Sequence, residues 1–189
     1  MFNQDSALMT FLNKAADMVI LSVLWCICSL PILTIGASSS ALYHSTMKVI
    51  RLGRGYAIST FFTSFRQNLK QTIPYTLLFL VFYASFAASI YVCWPRTDSM
   101  SANILIVFCV LCLFFLLITQ LHLFPLIGRF RLSRRELITV TTRLVFGHLL
   151  KNIMLVFLLA FAIEAGIYYP PLLFIVPAAF SLLSSFLQE

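Results

Sequence analysis

The chain has 189 residues, of which 61% are hydrophobic and 10% charged, with 13 Lys and Arg against 6 Asp and Glu for a formal charge of +7. A soluble domain is roughly half apolar and a quarter charged, so this composition excludes a water-soluble fold. The surplus of bases points to a cytoplasmic membrane edge, where Lys and Arg collect near anionic lipid headgroups, and away from nucleic acid.

Uncharged stretches of about 18 or more residues recur along the chain, each long enough to cross a hydrocarbon core of roughly 30 Å as a helix. Lipid cannot hydrogen-bond the backbone, and the apolar residues lack the alternation of barrel strands. The expected fold is therefore all-α, a polytopic membrane helix bundle of about five transmembrane helices in a single domain, 1–189.

The first expected span is 16–36, with Pro31 bending or ending it and Gly36 allowing a left-handed exit. Asp5 and Asp17 outnumber Lys14 ahead of it, the reverse of a signal peptide, so it reads as a retained span. A basic amphipathic segment, 41–71, follows. In it Phe61, Phe62, Phe65 and Leu69 line one face, with Arg66, Asn68 and Lys70 beside or opposite them. The second and third spans are 73–94 and 102–128.

A second basic segment covers 129–151. Its Ser133-Arg134-Arg135-Glu136 has the form of a capping box, so a helix is expected to start there. At 100° per residue Leu137, Ile138, Val140, Leu144, Val145, His148 and Leu149 share one face. The last two spans are 153–169 and 172–187. Eleven of the thirteen Lys and Arg fall in the two basic segments, which places both in the cytoplasm, the N-terminus outside and the C-terminus inside. Both segments read as cytoplasmic amphipathic helices lying in the inner interface or under the spans. Span, Pro and Gly, basic helix and span then occur twice, Leu30-Pro31 to Gly36 and Phe124-Pro125 to Gly128, as a parallel internal repeat followed by a fifth helix.

The run from Ser29, Leu30, Pro31 and Thr34 to Gly36, then Ala41-Leu42-Tyr43 and Phe61-Phe62-Thr63-Ser64-Phe65-Arg66-Gln67-Asn68-Leu69-Lys70-Gln71, resembles the YesL-like family of bacterial integral membrane proteins. The resemblance is carried by the first third of the chain. It implies a setting, the bacterial plasma membrane beside carbohydrate ABC transporters, and no catalytic or binding residues.

Few residues suggest chemistry. Glu164 is the one acid well inside a span, about 20 Å from Lys151 by helix rise, and an intramembrane acid must be paired, solvated or protonated. A structural hydrogen bond to Arg96, Lys14 or a Tyr hydroxyl is one reading, and a place in an ion path is the other. Cys109 and Cys112 form a CxxC among Leu and Phe without a second pair, which reads as packing. His44, His122 and His148 are too scattered for a metal triad and read as packing or interfacial residues. No nucleophile elbow, zinc-protease motif or Walker glycine loop is present, so no enzyme activity, metal or cofactor is expected.

The expectation from sequence is thus a non-enzymatic accessory, assembly or regulatory partner of a carbohydrate ABC transporter. Phe61, Phe62, Phe65, Arg66 and Asn68 would dock permease subunits, since aromatics and Arg are favoured at interfaces. The alternative is a small transporter or channel formed by a homo-oligomer, with Glu164 in the path.

Overall fold

The computed structural model of the chain describes residues 3–96, 100–130 and 132–187. Among them there is no strand. The long helices are α1 (Asn3–Ser29), α2 (Ile35–Ser45), α3 (Ala57–Cys93), α4 (Met100–Arg129), α5 (Arg134–Gly147), α6 (Leu149–Tyr168) and α7 (Val176–Leu187). Four of them, α1, α3, α4 and α6, are long and apolar enough to cross a membrane.

Side-chain polarity runs opposite to that of a soluble protein. Ser22, Ser38, Ser40, Ser45, Thr46, Thr72 and Asn152 are essentially inaccessible, while Val107, Phe108, Phe157 and Phe161 point outward. Lipid tails are as apolar as Leu, so helices in a bilayer associate through close packing of small residues and internal hydrogen bonds, which is the pattern here. The chain is an all-α polytopic membrane bundle.

The expected first span is two helices. α1 ends at Ser29, ahead of Pro31, whose ring cannot continue the helical hydrogen-bond ladder. A 3-10 turn, Ile32–Thr34, then reverses the chain into α2. The Thr34 hydroxyl donates to the Cys28 carbonyl at 2.6 Å, satisfying one of the carbonyls that α1 leaves open. α2 returns antiparallel to α1: the Trp25 indole N–H donates to Ser39 Oγ at 3.2 Å, and Leu21 packs with Ala41 and Leu42. Gly36 does not make a left-handed exit; it lies in the first turn of α2. A Cβ there would collide with the Thr76 side chain and the Phe124 ring, so the missing side chain is what lets α2 seat between α3 and α4.

The segment 41–71 is therefore not one amphipathic helix on the membrane surface. α2 runs into a π-helical turn, Thr46–Arg51, and a loop with Gly53 at φ 65° and Gly55 at φ 86° reverses the chain. Only glycine adopts those angles without strain. α3 then runs 37 residues unbroken through Pro74, about 55 Å at 1.5 Å per residue. Its first turns hold the basic residues and its remainder is the second span.

The third span is α4, continuous through Pro125. α5 carries the expected capping box, with Ser133 N–H donating to Glu136 Oε2 at 2.9 Å and Glu136 N–H donating to Ser133 Oγ at 3.4 Å. It buries Leu137, Thr141 and Val145, a stripe of four-residue spacing, while Ile138, His148 and Leu149 stay exposed. This helix lies alongside α4: Leu137 packs with Leu123, Phe124 and Ile127, and Phe146 stacks on Phe115.

The last expected span, 172–187, divides into a 3-10 run, Pro170–Phe174, and the 12-residue α7. α7 is about 18 Å long, short of the roughly 30 Å hydrocarbon core. Ala178, Ser181, Ser184 and Ser185 face inward, and Ala178 N–H donates to Ser22 Oγ of α1 at 3.2 Å. Phe186 lies 4.6 Å beneath the Arg51 guanidinium, so the end of α7 returns to the basic end of the first half.

Candidate functional site

The polar heart of the molecule lies where α2, the first turns of α3 and the end of α4 meet. On α3 the pairs Ser59-Thr60, Thr63-Ser64 and Gln67-Asn68 recur every four residues and so form one polar stripe along the helix. The Asn68 amide donates to Ser40 Oγ at 3.0 Å and to Ser64 Oγ at 3.1 Å, tying α3 to α2. On the α4 side, a Cβ at Gly128 would strike Ser40, so the end of α4 approaches α2 at backbone distance.

Between these three elements opens a cleft of about 350 Å³. The stripe of α3 forms one wall and Ile127 to Phe130 the other, while His44 and Lys48 project from α2 and the π-helical turn. Gly55 lies close to two of the lining residues, since a Cβ there would come within 3.1 Å of Thr60 Oγ1 and 3.9 Å of the Lys48 stem. None of the lining residues is acidic, and three can carry positive charge: His44, Lys48 and Arg129. Burial holds the His44 pKa below its usual value; its hydrogen bond to the Gly128 backbone opposes that shift and the Lys48 charge reinforces it. His44 is thus neutral at pH 7, leaving Lys48 and Arg129 as the fixed charges.

A second polar node joins α4, α5 and α6. His122 Nε2 lies 2.6 Å from Asn152 Oδ1, and the Asn152 amide donates to the carbonyls of Val145 at 2.7 Å and Leu144 at 3.3 Å. Because the amide donates to two carbonyls, Oδ1 must accept, so His122 carries its proton on Nε2. His122 Nδ1 is then a buried acceptor with no partner. This node satisfies the end of α5 where the chain breaks at His148, and its arrangement is structural.

The residues singled out from sequence fall in different places. Phe61 is fully buried in the core with Leu21, Leu42 and Ile50, so it cannot be a docking residue. Phe65 stacks on it, half-buried, and Asn68 is engaged with Ser40. Phe62 and Arg66 remain exposed on the surface. Ser29, Leu30, Pro31, Thr34 and Gly36 form the reversal between α1 and α2.

Glu164 sits on the exposed side of α6, one turn before its end, and no described side chain hydrogen-bonds to it. The Arg96 side chain, Asp98 and Arg131 lie outside the described residues. Cys109 is buried and Cys112 half-buried, both as free thiols. Among the described residues no three of His, Cys, Asp and Glu come together as a metal site.

Sequence reading missed the cleft because its lining comes from separate parts of the chain, His44 and Lys48, the start of α3 and the end of α4, which only the fold brings together. The signal that could have found it is the four-residue repeat of polar pairs on α3.

No curated protein and no solved structure matches the chain. Residues 18–90, which carry the α1–α2 reversal, the π-helical turn and the α3 wall of the cleft, match the family described as "Protein of unknown function, DUF624".

Proposed function

We propose that the chain is a non-enzymatic accessory protein of the bacterial plasma membrane, an assembly or regulatory partner of a carbohydrate ABC transporter, with its basic segments in the cytoplasm. The resemblance of its first third to the YesL-like family supplies the setting. The observation that carries the choice of accessory over transporter is the filled centre of the bundle. Gly36 sits against Thr76 and Phe124, and Gly128 against Ser40, so beyond the cleft at their basic end α2, α3 and α4 pack at close distance, which favours a packed bundle over a solute path. Interfaces favour aromatics and Arg, and on this reading Phe62 and Arg66, exposed at the basic end of α3, contact the permease.

The test is affinity purification from the native host in mild detergent. A permease pair should co-elute in comparable amount, and Phe62→Ala with Arg66→Ala should weaken its recovery at least about threefold, the effect of losing two moderate interface contacts. An unchanged yield removes this surface as the interface. Glu164, an exposed acid in the apolar stretch of α6 that follows Asn152, favours one competing reading: a homo-oligomer enclosing a path around it. Solute flux in proteoliposomes holding only this protein, abolished by Glu164→Gln, would replace the accessory reading with that one.

A further inference from the structure

We propose that the cleft between α2, α3 and α4 is a binding site for a phosphate ester bearing neighbouring hydroxyls, a chemistry shared by sugar phosphates and by glycerol-type lipid headgroups. This stands apart from the accessory reading, because it rests on the cleft alone.

Three observations converge. The first is size: about 350 Å³ is within the range of pockets that enclose small ligands, roughly 300–1,000 Å³. The second is the lining. Ligand pockets are mostly apolar, yet this one presents hydroxyls and amides from Thr63, Ser64, Gln67 and Asn68 in a molecule whose exposed surface is dominated by hydrocarbon. Such walls suit a ligand that itself carries donors and acceptors. The third is charge. Lys48 and Arg129 reach the cleft from different elements with no acid in the lining, so an anion gains from both without repulsion. Lys acts as a point charge for phosphate and Arg as a two-pronged donor, while neutral His44 adds no third charge.

The cleft is also held in shape. Asn68 bonds to both Ser40 and Ser64, and Gly55 lies next to Thr60 and Lys48, so the wall is braced by contacts within the protein. Preorganisation of this kind lowers the entropy lost on binding. A neutral sugar would use the hydroxyl and amide wall alone and leave both cations unused.

The experiment uses the full chain in neutral detergent and reads binding by calorimetry, with glucose 6-phosphate, glucose, inorganic phosphate, and short-chain phosphatidylglycerol or phosphatidylcholine as probes. The expected result is saturable binding of at least one hydroxyl-bearing phosphate ester, and weaker binding of glucose and phosphatidylcholine. Glucose 6-phosphate as the tighter ligand assigns a soluble metabolite, and phosphatidylglycerol assigns a lipid headgroup.

Lys48→Gln should weaken binding about tenfold, the size of one charge-assisted hydrogen bond, and Thr63→Val several-fold. Both side chains are exposed, so neither change disturbs the core. Lys70→Gln removes an equal charge from the same stretch of chain but outside the cleft, and should leave affinity within about twofold, as expected of a screened surface charge. Absence of saturable binding by either ester, or an equal loss in the Lys48 and Lys70 variants, overturns the assignment.

Discussion

The two halves of the chain use the same order of parts, an apolar helix, a basic segment and a second apolar helix, and break it at opposite points. In the first half the break precedes the basic segment, at Leu30–Thr34, and the basic turns of α3 run into the following span without interruption. In the second half α4 runs through its proline to Arg129 before a short connection to α5, and the basic helix is itself separated from the following span by a break at His148. Of Pro31, Pro74 and Pro125, only Pro31 coincides with a break; the other two lie inside continuous helices. A proline removes one hydrogen bond wherever it stands. Whether the helix then ends depends on what the chain gains by turning.

At Pro31 the gain is a buried helix: α2 is small enough, Gly36 to Ala41, to enter between α3 and α4. Around Pro125, Leu123, Phe124 and Ile127 of α4 already pack with Phe79 of α3 and Leu137 of α5, and turning would expose that contact. The break at His148 is supported differently, by Asn152 closing the end of α5.

The largest effect is expected where the first half is tightest. Gly36→Val places two methyl groups where the Thr76 side chain and the Phe124 ring already stand. Overpacking typically costs about 1–3 kcal/mol, and here both neighbours are buried, so the upper end or beyond is expected. Melting in detergent should fall by about 6–12 °C, at the 2–4 °C per kcal/mol usual for this size. Gly147 in the second half has open space around it and should accept Ala without loss. If both substitutions are equally tolerated, the wedge described for α2 is wrong.

A smaller effect is expected at the second break. Asn152→Leu keeps the volume but leaves the Val145 carbonyl and the His122 Nε2–H without partners, at about 1–3 kcal/mol for each buried group left unmet. Adding His122→Leu removes one of those unmet groups, so the double variant should be no less stable than Asn152→Leu alone. Strictly additive losses would show that the two side chains do not act as one node.

What was legible in the sequence follows from the range of the interactions concerned. The capping box of α5 and the stop at Pro31 are local, decided within four or five residues, and both are present. The fate of Ser38-Ser39-Ser40 is not local. Small polar residues carry no packing signal of their own until another backbone comes within contact distance, and Gly128 of α4, some 90 residues away, supplies that contact. Phe61 and Phe62 are chemically identical and adjacent, yet one is core and the other surface, because burial is settled by α1 and the π-helical turn packing on one side of α3. The segment 172–187 has the hydropathy of a span. Its helix starts only at Val176, with Pro177 in the first turn, and the seryl face it turns toward α1 shows why it packs inside.

The smallest effect tests the one device both readings share, the start of α5. Glu136 has its pKa lowered from the ordinary 4.5, first by the hydrogen bond from the Ser133 backbone N–H and then by the Ser133 side chain, against a minor opposing desolvation. A carboxylate with a depressed folded pKa contributes its stability above the unfolded value and loses it as pH falls through the folded one. The first turn of α5 should therefore keep its amide-exchange protection at neutral pH and lose it below about pH 4.5, with no matching change at the start of α3, which has no side-chain cap at Tyr56. Glu136→Gln should retain part of the cap, since an amide oxygen still accepts, and should flatten the pH dependence. Equal acid sensitivity at both helix starts would mean that the loss comes from global unfolding and not from this carboxylate.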